Sequence, residues 1–206
     1  MRIKICGLFR EEDIAYANEA LPDYAGFVFA AGSRRFIRPE AAARLREKLD
    51  GRIIPVGVFV REKPEEIAAL WRDGLIGMAQ LHGGEDGGYI ARLREICGAP
   101  LVRALDAAAL DPRAGLCREN LSGGADYILL DRGAGGGGRR FDWRRLVPGF
   151  ASCGLPFFLA GGIGLGNIGE AMGYNPYALD VSSGAESGGV KDREKMVALV
   201  KEARAY

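Results

Sequence analysis

The sequence has little of what marks metal-binding, disulfide-rich, membrane or nucleic-acid-binding proteins. Its four cysteines stand at positions 6, 97, 117 and 153 without Cys-x-x-Cys spacing, and the chain has one histidine. We therefore expect no zinc site, no disulfide framework and a reducing, cytoplasmic location. Basic residues (28) balance acidic residues (27), so charge predicts no nucleic-acid or acidic-membrane partner. No apolar run reaches the ~20 residues that cross a bilayer.

A secretory signal and a dinucleotide-binding turn are also missing. The first residues, Met1–Cys6, lack the apolar core of a signal peptide and predict a strand. An open doubly wound sheet normally carries its glycine-rich turn after the first strand. Here that strand is followed by Gly7 and Leu8 without a Gly-x-Gly-x-x-Gly pattern, and the glycine-rich turns come late. This order disfavours the doubly wound sheet, the alternative to the fold predicted below.

What the chain does contain is an alternation of eight short apolar runs with helix-like segments. The predicted strands are Ile3–Cys6, Gly26–Phe29, Ile53–Val60, Gly77–Leu81, Leu101–Leu105, Tyr127–Leu130, Phe157–Ala160 and Leu179–Ser182. The predicted helices are Glu11–Ala20, Pro39–Leu49, Pro64–Trp71, Tyr89–Ile96, Ala107–Asn120, Asp142–Val147, Asn167–Met172 and a last helix capped by Asp192. This alternation predicts an α/β protein with a parallel sheet, built as a single (β/α)8 TIM barrel domain over residues 1–206.

The last two predicted strands end in small residues. One runs into Gly161 and Gly162, and the other into Ser182, Ser183 and Gly184. Small residues allow a phosphate group to approach backbone N–H groups closely. Because the loops after strands 7 and 8 of such barrels frequently bind phosphate, these five residues form the predicted phosphate site.

Other strand ends carry side chains with two possible interpretations each. Cys6 is either a base or nucleophile, or a small buried apolar residue. Asp131 follows three apolar residues, where a charge is costly unless it faces a polar cavity, and it could instead be a structural acid paired with an arginine. His82 is a candidate site residue, although a lone histidine is more often structural. Arg35 could bind a carboxylate through two hydrogen bonds, or lie in a solvated basic loop.

Taken in order, these residues resemble the phosphoribosylanthranilate isomerase family over essentially the whole chain. Each matching tract is weakly specific, but eight in order are highly specific. The tracts are Lys4-Ile5-Cys6-Gly7-Leu8, Gly26-Phe27-Val28-Phe29 with Ser33 and Arg35, Val56-Gly57-Val58-Phe59-Val60, Gln80-Leu81-His82-Gly83, Leu129-Leu130-Asp131, Phe141-Asp142-Trp143, Leu159-Ala160-Gly161-Gly162 with Asn167, and Asp180-Val181-Ser182-Ser183-Gly184 through Glu186, followed by Lys191-Asp192.

The resemblance implies a reaction, an Amadori rearrangement of N-(5-phosphoribosyl)anthranilate to 1-(2-carboxyphenylamino)-1-deoxyribulose 5-phosphate, without metal or organic cofactor. By position, Asp131 resembles the general acid that protonates the ribose ring oxygen, and Cys6 resembles the base that removes the C2 proton. The implied partner is this phosphorylated small molecule, bound by a monomer or a homodimer.

The resemblance also implies substrate contacts. Arg35 resembles the partner of the anthranilate carboxylate, but Arg34 replaces a frequent proline, so both arginines are candidates. The family often has threonine where this chain has Phe9, and the loop 135–139 reads Gly-Gly-Gly-Gly-Arg in place of Gly-Gly-Thr-Gly-Lys. The remaining substrate-contacting positions are Gln80, His82 and Asp180.

The proposed acid and base make opposite demands on protonation. Ordinary pKa values of about 8.5 for cysteine and 3.9 for aspartate favour a thiol and a carboxylate at pH 7, whereas the mechanism needs a thiolate and a carboxylic acid. Burial raises both pKa values, so it helps only the acid. We therefore expect an electropositive group to face Cys6 and not Asp131, and Asp131 to have the more apolar surroundings.

The same residues suggest two alternative functions. The related sugar isomerase of histidine biosynthesis, or a bifunctional version, resembles this barrel but uses an acidic residue where this chain has Cys6. A non-catalytic barrel that binds a phosphorylated ligand would need neither Cys6 nor Asp131, and the presence of both disfavours it.

Overall fold

The computed structural model of the protein describes residues 1–107, 109–110, 121–132, 143–144 and 154–206. Within these ranges, eight parallel strands pair in chain order, and the first pairs with the last to close a barrel. The predicted (β/α)8 barrel is confirmed. The glycine-rich loop around residues 133–138 lies outside the described residues, as do most of the predicted helices at 107–120 and 142–147.

Each strand lies within two residues of its predicted limits. The strands are β1 (Arg2–Cys6), β2 (Tyr24–Val28), β3 (Ile54–Phe59), β4 (Met78–Leu81), β5 (Leu101–Asp106), β6 (Tyr127–Asp131), β7 (Phe157–Leu159) and β8 (Ala178–Val181). Strands β2, β4, β7 and β8 are buried along their whole length. A strand covered by helices outside and side chains inside has no solvated face, which is why the sequence shows continuous apolar runs.

The helices of the described residues follow the strands on the outside of the barrel. They are α1 (Glu11–Ala20), α2 (Pro39–Lys48), α3 (Pro64–Arg72), α4 (Gly87–Ile96), α5 (Ile168–Met172) and α6 (Arg193–Ala205). Proline opens α2 and α3, where its missing N–H costs nothing. Asp192 caps α6 as predicted by accepting a hydrogen bond from the backbone N–H of Lys195. No helix in the described ranges is long and apolar enough to cross a membrane.

The interior of the barrel changes character along its axis. Apolar side chains from seven strands form an inner cluster, which includes Tyr24, Val56, Met78, Val102, Leu129 and Phe158. Near the amino end, the hydroxyls of Tyr24 and Tyr177 lie 3.0 Å apart. The polar residues Lys4, Gln80 and Asp180 are also buried, and they lie nearer the carboxyl ends of their strands. The apolar half therefore closes the barrel, and the polar half is the floor of the opposite mouth.

A small hairpin follows β8 that sequence reasoning did not predict. It consists of β9 (Glu186–Ser187) and β10 (Val190–Lys191), antiparallel, and Glu186 lies opposite Lys191. The intervening Gly188 and Gly189 have φ values of 60° and 87°. Two central residues with positive φ are what the two-residue type I′ hairpin requires, so the Gly-Gly pair was the available signal. The hairpin places one carboxylate and one ammonium group beside the barrel mouth.

Candidate active site

The carboxyl ends of β1, β4, β6 and β8 carry the predicted acid, base and polar residues. Cys6 and Asp131 are the last residues of β1 and β6, and His82 directly follows β4. In a closed parallel barrel all carboxyl ends lie at one mouth, so these side chains share it.

Cys6 is 8% exposed and lies among charged groups. Burial raises the pKa of its thiol, Lys4 and Lys191 oppose that rise, and Asp180 adds to it. Gly26 on β2 leaves room for the sulfur, because a Cβ there would lie 2.8 Å from Sγ. Two buried lysines therefore act on Cys6 as electropositive groups, but the pKa of its thiol is still raised, and Lys4 also acts on Asp131.

Lys4 and Asp180 form a buried ion pair two residues before the end of β1. The Nζ of Lys4 donates to Oδ1 of Asp180 over 2.9 Å, and both side chains are almost completely buried. Burial alone would lower the pKa of Lys4, but Asp180 and Cys6 together outweigh it and the pKa is raised. Asp180, predicted as a substrate contact, is thus held by a partner that sequence reasoning had not assigned.

Asp131 is partly buried, and Lys4 and Asp180 act on it as they act on Cys6. Burial raises the pKa of its carboxyl, against the opposing effects of His82 and of the Arg132 backbone N–H, which donates over 2.8 Å. Its side chain is 15% exposed. Cys6 is the more deeply buried of the two. Depth of burial does not test the expectation that Asp131 has the more apolar surroundings, which stays a prediction. Among the described residues, the two groups differ in Lys191, which acts on Cys6, and in His82, which acts on Asp131.

His82 connects Asp131 to Gln80. Its Nδ1 lies 3.0 Å from Nε2 of Gln80, and its Nε2 lies 3.7 Å from Oδ2 of Asp131. Burial lowers the pKa of His82, with Asp131 opposing, which favours a neutral ring. With the Gln80 amide donating to Nδ1, the ring proton lies on Nε2, the nitrogen nearer Asp131. The buried Oε1 of Gln80 has no hydrogen-bond partner within the described ranges.

Arg35 is buried and bound by a carboxylate of the protein itself. Its Nε and Nη2 donate to the two oxygens of Glu186 over 2.6 and 3.1 Å. Gly7 permits this position, because its φ is +83° and a Cβ would lie 2.2 Å from Cδ of Arg35. Arg34 also binds Glu186, over 2.7 Å, but its side chain is 57% exposed. Arg35 is therefore buried and fixed in place, whereas its neighbour Arg34 is exposed.

Lys191 joins this cluster to the end of β8. Its Nζ donates to Oε1 of Glu186 over 2.8 Å and to the carbonyl oxygen of Ser182 over 3.1 Å. Burial lowers the pKa of Lys191, and Glu186 opposes that change. The hydroxyl of Ser182 donates to the carbonyl oxygen of Cys6 over 3.1 Å. The Ser182 side chain therefore makes a hydrogen bond within the protein. For this predicted phosphate residue, the backbone is the part left to bind a ligand.

The two predicted phosphate turns lie against each other. Gly161 and Gly162 have φ values of 90° and 71°, conformations that favour glycine. A Cβ on Gly184 would lie 1.9 Å from the carbonyl oxygen of Ile163. Asn167 ties the first turn together by accepting from the Gly164 N–H and donating to the Gly162 carbonyl. Glycine is therefore favoured on the first turn by its backbone conformation and required at position 184 by the close contact between the turns. Ser183, the remaining predicted phosphate residue, begins the short 3-10 helix that follows β8.

Sequence reasoning missed three charged residues of the mouth, Lys4, Glu186 and Lys191. Two signals were available. All three stand in the tracts that resemble the family, and Lys4 precedes Cys6 by two residues and so shares its face of β1. Glu186 and Lys191 flank the Gly-Gly turn of the hairpin. Within the described ranges, no group of three or more His, Cys, Asp or Glu side chains is arranged to hold a metal ion.

Comparison with known proteins gives one consistent result. The family model for N-(5'-phosphoribosyl)anthranilate isomerase matches residues 3–202. The isomerase of that name from Endomicrobium trichonymphae is 46% identical over 205 residues, covering 97% of this chain and 96% of that protein. The crystal structure of phosphoribosyl anthranilate isomerase from Thermus thermophilus matches with a TM-score of 0.86 at 35% identity, covering 100% and 99% of the two chains. A phosphoribosyl anthranilate isomerase in complex with reduced 1-(o-carboxyphenylamino)-1-deoxyribulose 5-phosphate has a TM-score of 0.84 at 31% identity, and the match covers both chains fully.

Proposed function

The chain belongs to the N-(5'-phosphoribosyl)anthranilate isomerase family, and we propose that it converts N-(5'-phosphoribosyl)anthranilate to 1-(o-carboxyphenylamino)-1-deoxyribulose 5-phosphate with Asp131 as acid and Cys6 as base. Asp131 gives its proton to the ribose ring oxygen as the bond from that oxygen to C1 breaks. The electrons of the anthranilate nitrogen form a protonated imine at C1. The Cys6 thiolate removes the proton from C2, and the resulting enolamine tautomerises to the ketone by gaining a proton at C1 and losing one from the C2 hydroxyl.

The observation that carries the assignment of the acid is the burial of Asp131 beside a neutral histidine. Burial raises the pKa of the carboxyl, which increases the fraction that can donate a proton at neutral pH. The lowered pKa of His82 means that this ring brings little positive charge to reverse the effect. A carboxyl that must donate a proton is best served by such surroundings.

The assignment of the base is supported by the lysines near Cys6. A buried thiol is a poor base because burial favours its neutral form. Lys4 and Lys191 oppose that effect and favour the thiolate.

The substrate fits the mouth as a molecule with two anionic ends. The turns at Gly161, Gly162 and Gly184 offer backbone N–H groups for the phosphate, as do Ser182 and Ser183. At the other end, Arg35 is held rigidly by Glu186 and is the better candidate for the anthranilate carboxylate than the exposed Arg34. The buried Oε1 of Gln80 would accept a hydrogen bond from a ribose hydroxyl, since an unpaired buried acceptor is costly.

The test is isomerase turnover of the purified variants Cys6→Ser and Asp131→Asn, followed as the loss of phosphoribosylanthranilate fluorescence. Each variant should lose on the order of 10³-fold in turnover, the usual contribution of one acid or base group, while the fold is retained. Cys97→Ser is the matched control, because Cys97 is a buried cysteine at the end of α4. Near-normal turnover of either site variant would refute its role. A parallel assay with the aminoaldose of histidine biosynthesis tests for a bifunctional enzyme.

A further inference from the structure

Two buried lysines, Lys4 and Lys191, act on Cys6, and they differ in how far nearby carboxylates neutralise their charges. Lys4 has one partner, Asp180, at 2.9 Å, and both side chains are buried. The pair is therefore formally neutral. Its two members act on Cys6 in opposite directions, because Lys4 lowers the pKa of the thiol and Asp180 raises it. Lys4 has the larger effect on the thiol, through its charge and a hydrogen bond, and Asp180 cancels only part of it.

The second lysine, Lys191, shares its carboxylate with two other cations. Oε1 of Glu186 accepts from Lys191 and from Nε of Arg35, while Oε2 accepts from Arg35 and Arg34. Three cations therefore surround one anion, and the group carries a formal charge of +2. Glu186 cannot cancel the charge of Lys191, whose side chain is completely buried and has no solvent to screen it.

Hydrogen bonds connect Lys191 through Ser182 to the segment that holds Cys6. Its Nζ donates to the carbonyl oxygen of Ser182, and the hydroxyl of Ser182 donates to the carbonyl oxygen of Cys6. This arrangement anchors the ammonium group beside the end of β1 from the side of the β9–β10 hairpin. The charged groups that act on Cys6 are then Lys4 from its own strand, Asp180 from β8 and Lys191 from β10.

We propose that Lys191 is a positioning residue of the isomerisation, whose uncancelled charge adds to that of Lys4 and favours the thiolate form of Cys6, which accepts the C2 proton. The inference rests on the proposed function, in which Cys6 is the base. In this arrangement Glu186 has two tasks, since it orients Arg35 for the substrate carboxylate and fixes Lys191 against Ser182. The hairpin thereby couples the binding of one end of the substrate to the basicity of the group that acts on its centre.

The direct test is the titration of Cys6 in the whole protein, observed by the ¹³Cβ chemical shift of labelled cysteine. The Cys6→Ser variant identifies the signal. In Lys191→Met, the midpoint of the Cys6 titration should move up by about one pH unit, which lowers the thiolate fraction at neutral pH about ten-fold. Lys191→Arg should restore most of the original midpoint. Lys191→Met should fold, because Glu186 retains its ion pairs with Arg35 and Arg34.

The matched control is Lys195→Met, which removes the same charge from a lysine whose Nζ donates to the backbone oxygen of Glu186. Its Cys6 titration should stay within about 0.3 units of the unaltered protein, because an exposed or partly exposed charge is largely screened. A Cys6 midpoint that does not move in Lys191→Met, or that moves equally in Lys195→Met, would overturn the inference.

Kinetics separate an electrostatic role from a structural one. In Lys191→Met, kcat/KM at pH 7 should fall about ten-fold and recover as the pH rises, because the acidic limb of its pH profile follows the thiol. A loss that persists at high pH would contradict the proposal. The proposed function fails separately: an active Cys6→Ser variant would refute the base assignment even if the titration in Lys191→Met shifts as expected.

Discussion

The two sides of the barrel mouth hold their charged side chains in different ways. On one side, which we call the paired side, Lys4, Arg35, Asp180, Glu186 and Lys191 form ion pairs of 2.6–2.9 Å. On the opposite side, the sparse side, Gln80, His82 and Asp131 have one hydrogen bond and one contact at 3.7 Å among their described side chains, and Asp131 also accepts from the Arg132 backbone N–H.

The difference corresponds to what each side must do in the proposed reaction. A base and two anion-binding sites need fixed positive charge, which the paired side supplies through cations that hold one another in place. A carboxyl that donates a proton must not be surrounded by fixed cations, because they would lower its pKa. A mouth with separate environments can therefore contain an acid and a base a short distance apart.

The largest effect should come from removing the carboxylate that organises the paired side. In Glu186→Gln, the buried Arg35 and Lys191 lose their anion, and breaking a buried ion pair in this way costs about 3 kcal/mol in the free energy of unfolding at pH 7. Chemical denaturation would measure the loss. Glu194→Gln, at an exposed position of α6, should change the stability by less than about 0.5 kcal/mol.

The pH dependence of that loss has a definite sign. Burial alone would raise the pKa of Glu186, but hydrogen bonds from Arg35 and Lys191 outweigh it and the pKa is lowered. A carboxyl whose pKa is lowered on folding stabilises the protein above its unfolded value and loses that contribution as the pH falls through the folded value. The difference between Glu186→Gln and the unaltered protein should therefore shrink below about pH 4.3. A difference that is constant down to pH 2 would show that the charge is not responsible.

A somewhat smaller effect should follow from separating the two phosphate turns. In Gly184→Ala, the new Cβ meets the backbone oxygen of Ile163, which cannot move as a side chain does. We expect a loss of about 2 kcal/mol in stability, typical of overpacking, and a clear loss of affinity for inorganic phosphate measured by calorimetry. Gly166→Ala lies in the loop after β7 with nothing within 4 Å of the new Cβ, so it should leave both quantities unchanged. Equal behaviour of the two variants would argue against the predicted phosphate site.

Displacing Arg35 should have a moderate effect, mostly on the substrate. Gly7→Ala places a Cβ against the flexible Arg35 side chain at a positive φ, which costs about 1 kcal/mol in backbone strain and moves the guanidinium off Glu186. The Michaelis constant should rise about ten-fold, measured with Gly32→Ala as the control in the loop that carries Arg35. An unchanged Michaelis constant would indicate that Arg35 does not bind the substrate.

The smallest effect on stability, and one of opposite sign, should occur on the sparse side. Burial raises the pKa of Asp131, so its ionised form destabilises the folded protein at neutral pH, and this penalty is absent below the unfolded value of about 3.9. Asp131→Asn should therefore be slightly more stable than the unaltered protein at pH 7 and equally stable near pH 3. Thermal unfolding at the two pH values would test this. A destabilised variant at pH 7 would contradict the contrast between the two sides.

The fold was accessible from the sequence because each strand of a parallel barrel is a continuous apolar run. The predicted limits of β2 were displaced by two residues, since Tyr24 and Ala25 read as part of the preceding segment. The hairpin β9–β10 was not predicted, because strands of two residues are too short for periodicity to identify.

The positions of the candidate site residues were also accessible, but their partners were not. Cys6 and Asp131 stand at the carboxyl ends of predicted strands, and the fold alone brings such ends together. The partner of Arg35 could not be read from the chain, because Glu186 lies 151 residues away and belongs to the unpredicted hairpin.

The sequence by itself determined the barrel, the location of its mouth and the residue types available there. These properties follow from local patterns, namely apolar runs, turn residues and the side chains that end each strand. The tertiary structure alone decided which charges meet, with Lys4 bound to one carboxylate and Lys191 sharing another with two arginines. Contacts between residues far apart in the chain depend on closure of the barrel, and electrostatic effects depend on distance and burial that only the folded chain defines.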